Sequence, residues 1–320
     1  FEGLPRGQML LALDETEAYE GVDAIRREGV TAWVTVQRGC DHRCTFCIVP
    51  YVRGSEKNRE PSAVLREVRE AVAAGYSEVS LLGQTVNSYR IGDWDFARLL
   101  QAVARVDGVR RVRFTSPHPN DVSDRMVRVM AEEAAICPQL HLPVQSGSDR
   151  VLKRMVRSYT VQRFLESVER VRESVPGIAL STDVIVGFPG ETEADFESTL
   201  SLLREVRFDD AFLYRYSLRD GTPATRMPAG DFVSEKTSGR RLEKAISLHR
   251  SIQREINEGE LGTELEVLVE RPARSEGDVL GRTGTGKVVA FPGTPDYRNT
   301  YRTVRLTSTS GPTFRGEAVT

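Results

Sequence analysis

The sequence predicts an α/β protein, a partial (β/α)6 barrel followed by a small antiparallel β-barrel, and three observations lead there. Apolar, β-branched runs bounded by turn residues recur at 32–36, 78–82, 109–114, 139–144, 179–186 and 211–216, which makes six strand candidates. Amphipathic helical patterns lie between them. After Gly259 the pattern changes to short alternating segments at 264–270, 279–283, 287–291, 301–306 and 313–319, separated by Gly, Pro, Ser and Asp.

Each element has its own justification. The helix at 62–74 carries Val64, Leu65, Val68, Ala71 and Val72 on one face, and that at 161–175 carries Phe164, Leu165, Val168 and Val171. Pro61-Ser62, Asp121 with Ser123, and Glu191-Thr192 offer oxygens to the orphan amides at helix starts. Successive βα units favour a parallel sheet that closes or nearly closes; a doubly wound open sheet is the alternative. From 233 to 258, Leu242, Ala245, Ile246, His249, Ile252 and Ile256 follow helical spacing and read as a bridging helix. The five alternating segments then form a β-barrel at 259–320. The domain plan is therefore a linker remnant at 1–29, the barrel at 30–232, the bridge and the small barrel.

With 320 residues, 39% hydrophobic and 28% charged, the chain has the composition of a soluble globular protein. A formal net charge of -2 exerts no global pull on nucleic acid, so any such contact must be local. No stretch approaches a membrane span and no secretory signal is evident, which predicts a cytoplasmic protein. The first residue is Phe1, from which an upstream segment is expected. Three of the four cysteines fall within eight residues, a poor disulfide framework and a good metal or cluster site.

In either architecture function gathers past the carboxyl ends of the strands. Those positions hold Gly39-Cys40, Gly83-Gln84-Thr85-Val86-Asn87, Thr115-Ser116-Pro117-His118, Gln145-Ser146-Gly147, Gly187-Phe188-Pro189-Gly190 and Ser217, mostly polar or glycine. Cys40, Cys44 and Cys47 form C-x3-C-x2-C on the first of these loops. Three thiolates on a [4Fe–4S] cubane leave one iron open to a ligand. The competing reading is a zinc site closed by His42 or Cys137. Three unrelated buried cysteines would be out of place beside Asp41, His42 and Arg43.

C-x3-C-x-aromatic-C at the end of the first strand resembles the radical S-adenosylmethionine (SAM) superfamily. The run from Gly39 to Gly54, Gly-Cys-Asp-His-Arg-Cys-Thr-Phe-Cys-Ile-Val-Pro-Tyr-Val-Arg-Gly, is similar to its methylthiotransferases. Leu81-Leu82-Gly83-Gln84-Thr85-Val86-Asn87-Ser88-Tyr89, Phe114-Thr115-Ser116-Pro117-His118-Pro119 and His141-Leu142-Pro143-Val144-Gln145-Ser146-Gly147-Ser148 resemble the tRNA-2-methylthio-dimethylallyladenosine synthase branch. The resemblance runs from about Trp33 to the C-terminus.

It implies the radical SAM partial barrel with a TRAM-like RNA-binding β-barrel appended. It also implies a [4Fe–4S] cluster on Cys40, Cys44 and Cys47, whose open iron chelates S-adenosylmethionine. Cleavage to a 5′-deoxyadenosyl radical then starts methylthiolation at carbon 2 of dimethylallyladenosine, position 37 beside the tRNA anticodon. The chemistry is the cofactor's; the protein positions and excludes water. Phe46 is expected against the adenine, with Gln84, Asn87, Ser116, Gln145, Asp183 and Gly187 as further cofactor contacts. No acid, base or nucleophile is singled out as catalytic. Partners implied are the tRNA anticodon stem-loop and a reductant such as flavodoxin or ferredoxin. Full-length relatives carry an upstream domain with a second, auxiliary [4Fe–4S] cluster as the proposed sulfur source; 1–29 is too short to hold it. Related enzymes act on threonylcarbamoyladenosine in tRNA or on a ribosomal protein. A non-catalytic, zinc-stabilised RNA-binding protein is the reading of another class.

From Arg271 onward, Arg271, Arg274, Arg282, Lys287, Arg298, Arg302, Arg305 and Arg315 outnumber Glu276, Asp278, Asp296 and Glu317, which favours phosphate contact by this module. Arg53, Arg282 and Lys287 are the expected RNA contacts. Gly281 to Lys287 nearly spells a P-loop, but Val288 replaces the required hydroxyl residue and no helix follows. His118, His141 and His249 read as structural, Cys137 as a core or loop thiol, and no Ser/His/Asp arrangement suggests itself.

Overall fold

The computed structural model describes Arg26 and residues 29–319; the 1–29 linker expectation lies almost wholly outside the described residues. Six parallel strands carry the first unit: β1 (Thr31–Thr35), β2 (Glu78–Leu82), β3 (Arg111–Phe114), β4 (Gln139–His141), β5 (Ala179–Val186) and β6 (Asp210–Arg215). They form two three-stranded sheets, β1-β2-β3 and β4-β5-β6, joined by a single bridge between Val112 and Ile136. Strand order follows chain order, as in a singly wound open barrel; a doubly wound sheet would reverse it. β3 starts at Arg111 because Val109 closes a turn onto Val106. β4 stops at His141, before Pro143, which has no N–H for the ladder.

Helices α1 (Val49–Arg53), α2 (Pro61–Ala73), α3 (Phe96–Ala104), α4 (Asp124–Glu132), α5 (Asp149–Arg154), α6 (Val161–Ser174) and α7 (Glu193–Val206) complete this unit. Ser123 caps α4, and Thr192 caps α7 in a reciprocal box with Asp195. Ser62 does not cap α2: Glu60 stands there without a side-chain bond, and Pro61 fills the first turn, where its missing N–H costs nothing. Strands β1 and β5 bury alternate residues against the helices, as Ala32 and Val34 do in β1, whereas β2 buries Glu78 to Leu81 in a row and β6 buries none. In β1 the intervening Trp33 is left 57% exposed on the inner face.

Helix α8 (Glu235–Gly259) leads into β7 (Glu264–Pro272), β8 (Asp278–Thr283), β9 (Val288–Pro292), β10 (Tyr301–Ser310) and β11 (Thr313–Ala318). These close into a barrel in the order β7-β8-β9-β11-β10 around Val267, Val269, Phe291, Val304 and Phe314. It is antiparallel except where β9 meets β11 in parallel, Val288 opposite Thr313. The small barrel sits under the amino ends of the first three strands. Arg111 donates to Glu266 O and Arg282 O at 2.7 and 2.8 Å, and Arg113 to Thr283 O and Gly284 O at 2.6 and 3.0 Å. Ser77 meets Tyr301 at 3.0 Å, and Asn299 donates to Gly75 O at 3.0 Å. Among the described residues no helix is long and apolar enough to cross a membrane.

Candidate active site

The cysteine loop leaves β1 at its carboxyl end. Gly39 turns it with φ +74°, and a Cβ there would lie 2.1 Å from Ser55 O, so no other residue fits. Gly39 N donates to Gln84 Oε1 at 2.7 Å, and Thr85 N to Gln37 Oε1 at 2.9 Å, which clamps this loop to the one after β2. Farther along, Thr45 N donates to Met155 O at 3.1 Å and Thr45 Oγ1 to Arg154 O at 3.0 Å. Cys47 N closes a turn onto Cys44 O at 3.1 Å.

The three thiols lie close enough to feel one another's charge. Cys40 Sγ lies 3.2 Å from Thr85 Oγ1, and Cys44 Sγ lies 3.4 Å from Arg157 Nη1. Burial pushes the Cys40 thiol up, against the Thr85 hydroxyl, and pushes the Cys47 thiol up likewise. Deprotonation is then linked to metal binding. A single zinc would hold its sulfurs about 3.8 Å apart. Among the described residues the set of three ligand-type side chains with donor atoms all within 4.8 Å is His42, His118 and Asp121, not the cysteines. Wider spacing, one sulfur per iron, is what a cubane requires.

Neither proposed fourth zinc ligand is in place. His42 stacks on His118 with centroids 3.8 Å apart and meets Asp121 Oδ2 at 3.1 Å. Cys137 is buried just before β4, at the opposite, amino end of the barrel. Burial, the Arg157 charge and His42 push His118 down to about 2, so it is a neutral packing partner of the loop.

Phe46 packs edge-to-face on Phe188 at 6.5 Å. Gly187, with φ +72° and tight against Ser238, donates its amide to Glu191 Oε1 at 2.9 Å; Glu191 pairs with Arg241 at 2.7 Å. Asn87 exchanges two hydrogen bonds with the backbone of His118, at 2.7 and 2.8 Å. Gln84 and Asn87 are thus braces of the rim. Gln145, with φ +71°, continues the ladder to β5 through Asp183 O and Ile185 N. Asp183 meets His141 Nε2 at 3.4 Å, and His141 also contacts Ser181 at 3.0 Å and stands edge-on to Phe212 at 5.9 Å. His141 therefore belongs to the inner face and is more than a core residue.

That face opens on two adjoining clefts. One of 370 Å³ is lined by Thr115, Ser116, His141, Phe212 and Lys287; one of 800 Å³ by Trp33, Glu78, Arg113, Thr115 and Arg282. Neither is lined by the cysteines, and Phe114, Thr115, Gln139 and Arg282 are common to both. The exposed aromatics Trp33, Phe212 and Tyr214 were missed by sequence reasoning. Their signal was an aromatic at alternate strand positions that the helices do not cover.

The expected RNA contacts fall in different places. Arg53 is exposed at the end of α1. Arg282 donates to Glu270 Oε1 and Gly286 O, both at 3.0 Å. Lys287 is buried against Asp209, at 3.0 Å, and Glu260, so its ammonium serves the contact between the two units.

The radical SAM superfamily model matches residues 34–203 and the TRAM domain model residues 259–317. Over 61% of this chain and 38% of the other, the fold is similar to a radical S-adenosylmethionine methyltransferase, TsrM, from Kitasatospora setae, with a TM-score of 0.52 at 19% identity. The molecule is thus a radical SAM enzyme carrying a TRAM domain, and its cofactors are those of that class, a [4Fe–4S] cluster and S-adenosylmethionine. It is 46% identical to a tRNA-2-methylthio-N(6)-dimethylallyladenosine synthase of Carboxydothermus hydrogenoformans, covering 95% of this chain and 69% of that one. A synthase of the same name from Desulforamulus reducens is 42% identical, covering 94% and 66%. The chain belongs to this family of tRNA methylthiotransferases, and it spans about two thirds of the length of those relatives.

Proposed function

We propose that this chain performs the radical SAM half of the methylthiolation of carbon 2 of dimethylallyladenosine at position 37 of tRNA. The single observation that carries the reading is the placement of Cys40, Cys44 and Cys47 on one clamped loop at the carboxyl end of β1, in a chain similar over most of its length to synthases of that name. When bound, the cluster and S-adenosylmethionine supply the electron and the radical that activate the carbon–hydrogen bond. The protein's residues position and shield. Gly39, Gln84 and Thr85 hold the cysteine loop. Phe46 and Phe188 form an apolar wall for the adenine; Ser116, Gln145 and Gly187 stand past the ends of β3, β4 and β5, and Asp183 lies within β5. Trp33, Phe212 and Tyr214 offer flat faces on which a base removed from its stack can lie.

The domain plan adopted is a radical SAM partial barrel at 30–232, a bridging helix at 233–258 and an RNA-binding barrel at 259–320. Arg53, at the end of α1, and Arg282, on the small barrel, are taken as contacts for the anticodon stem-loop. A flavodoxin- or ferredoxin-type reductant, an auxiliary cluster on an upstream domain and a cytoplasmic location complete the proposal. The test is anaerobic reconstitution with iron and sulfide. Cluster absorbance and 5′-deoxyadenosine from S-adenosylmethionine are expected in the wild type and in Cys137→Ala, and neither in Cys44→Ala. Retention of both by Cys44→Ala would overturn the ligand assignment. Mass spectrometry of prenylated tRNA, with the full-length enzyme, distinguishes this nucleoside from the threonylcarbamoylated one.

A further inference from the structure

Resting on the reading of Cys44 as a cluster ligand, we propose that Arg157 is a positioning residue that sets the reduction equilibrium of the cluster through the Cys44 sulfur. Arg157 follows α5 by three residues, just past Val156, whose φ of +56° swings the chain back under the cysteine loop. Its guanidinium is fixed on three sides. Nη2 donates to Pro143 O at 2.8 Å, Nε donates to Tyr159 Oη at 3.0 Å, and the group lies 5.2 Å from the centre of the Tyr159 ring. Tyr159 is itself held by Val144 O at 3.0 Å. That leaves Nη1 aimed at Cys44 Sγ, at 3.4 Å.

Among the described residues no carboxylate pairs with Arg157. Its hydrogen-bond partners are one carbonyl, a phenol and a buried cysteine, with the neutral His118 close by. A cysteine that ligates a cluster does so as its thiolate, and the half-buried Arg157 is a cation within hydrogen-bond reach of that sulfur. Cys40 receives the neutral hydroxyl of Thr85 instead. A fixed positive charge that also donates a hydrogen bond to a ligand sulfur stabilises the cluster state carrying the extra electron. The ligands are therefore electrostatically unequal, and Arg157 eases the one-electron reduction on which cofactor cleavage depends.

The test uses reconstituted wild type, Arg157→Lys and Arg157→Gln, with reduction followed by electron paramagnetic resonance against a graded series of mediators. Arg157→Gln is expected to shift the equilibrium about tenfold toward the oxidised state, 59 mV for a one-electron couple, and Arg157→Lys less than threefold. An Arg157→Gln protein with full cluster content and a wild-type midpoint overturns the inference, as does an equal shift in both variants, which would mean packing rather than charge. If Arg157→Gln takes up no cluster, uptake by Arg157→Lys supports the charge role, and failure of both overturns it. Absence of a cluster in the wild type would instead refute the ligand assignment itself.

Discussion

The Gly39 amide donates to Gln84 Oε1 at 2.7 Å, so the loop that carries the cysteines is anchored by a side chain from the neighbouring strand end. The anchor needs the backbone of Gly39 where it is. Gly39→Ala would meet Ser55 O at 2.1 Å in a left-handed conformation and should cost about 3 kcal/mol. We expect iron content after reconstitution to fall several-fold while the circular dichroism spectrum is kept; undiminished iron binding would show that the loop tolerates displacement.

Lys287 is predicted to be a structural residue. Removing its ammonium leaves Asp209 and Glu260 facing each other, so Lys287→Met should destabilise the protein by about 2 kcal/mol, against at most about 0.5 kcal/mol for the exposed Arg305→Ala. Urea unfolding measures both. A Lys287→Met protein of normal stability with a reduced salt dependence of tRNA binding would return this residue to the RNA-contact role.

Phe212→Ala and Trp33→Ala should weaken binding of a prenylated anticodon stem-loop by about 1–3 kcal/mol each, roughly five- to 150-fold, because base stacking is lost while cluster content is unaffected. Fluorescence anisotropy with prenylated and unmodified stem-loops reads this directly. Unchanged affinity in both variants would remove the inner face from the substrate path.

Asp195 supplies a pH dependence. Burial opposes its charge, but hydrogen bonds from Arg150, Ser148 and Thr192 outweigh it and hold the carboxyl well below the usual range. A depressed carboxylate stabilises the fold above its unfolded pKa of about 3.9, and that contribution fades as pH falls toward the folded value. Asp195→Asn should therefore be about 2 kcal/mol less stable at pH 7, with the gap to wild type narrowing below about pH 4. Chemical denaturation across that range gives the answer; a constant gap would mean the loss is one of shape alone.

Much of this molecule was legible in the chain because its signals are local. Alternating apolar runs found the strands of both barrels, overrunning β4 past His141 and stopping β10 short of Ser310, and the cysteine spacing marked the loop after β1. Residues whose purpose depends on distant partners were harder. Gln84 and Asn87 stood at strand ends, as cofactor contacts would, yet their amides hold Gly39 and His118. Arg157 is 113 residues from Cys44 in sequence, and no spacing rule joins them. Lys287 looked like a phosphate ligand because composition counts charges without their partners. His118 read only as a structural residue because folding alone stacks its ring on that of His42.

The seam beneath the open barrel has a geometric consequence. Arg111 and Arg113 grip backbone carbonyls of the TRAM unit, and Tyr301 and Asn299 return the grip from the other side. The seam therefore ties the spacing of the two units to backbone atoms, which a change of side chain on the small barrel leaves in place.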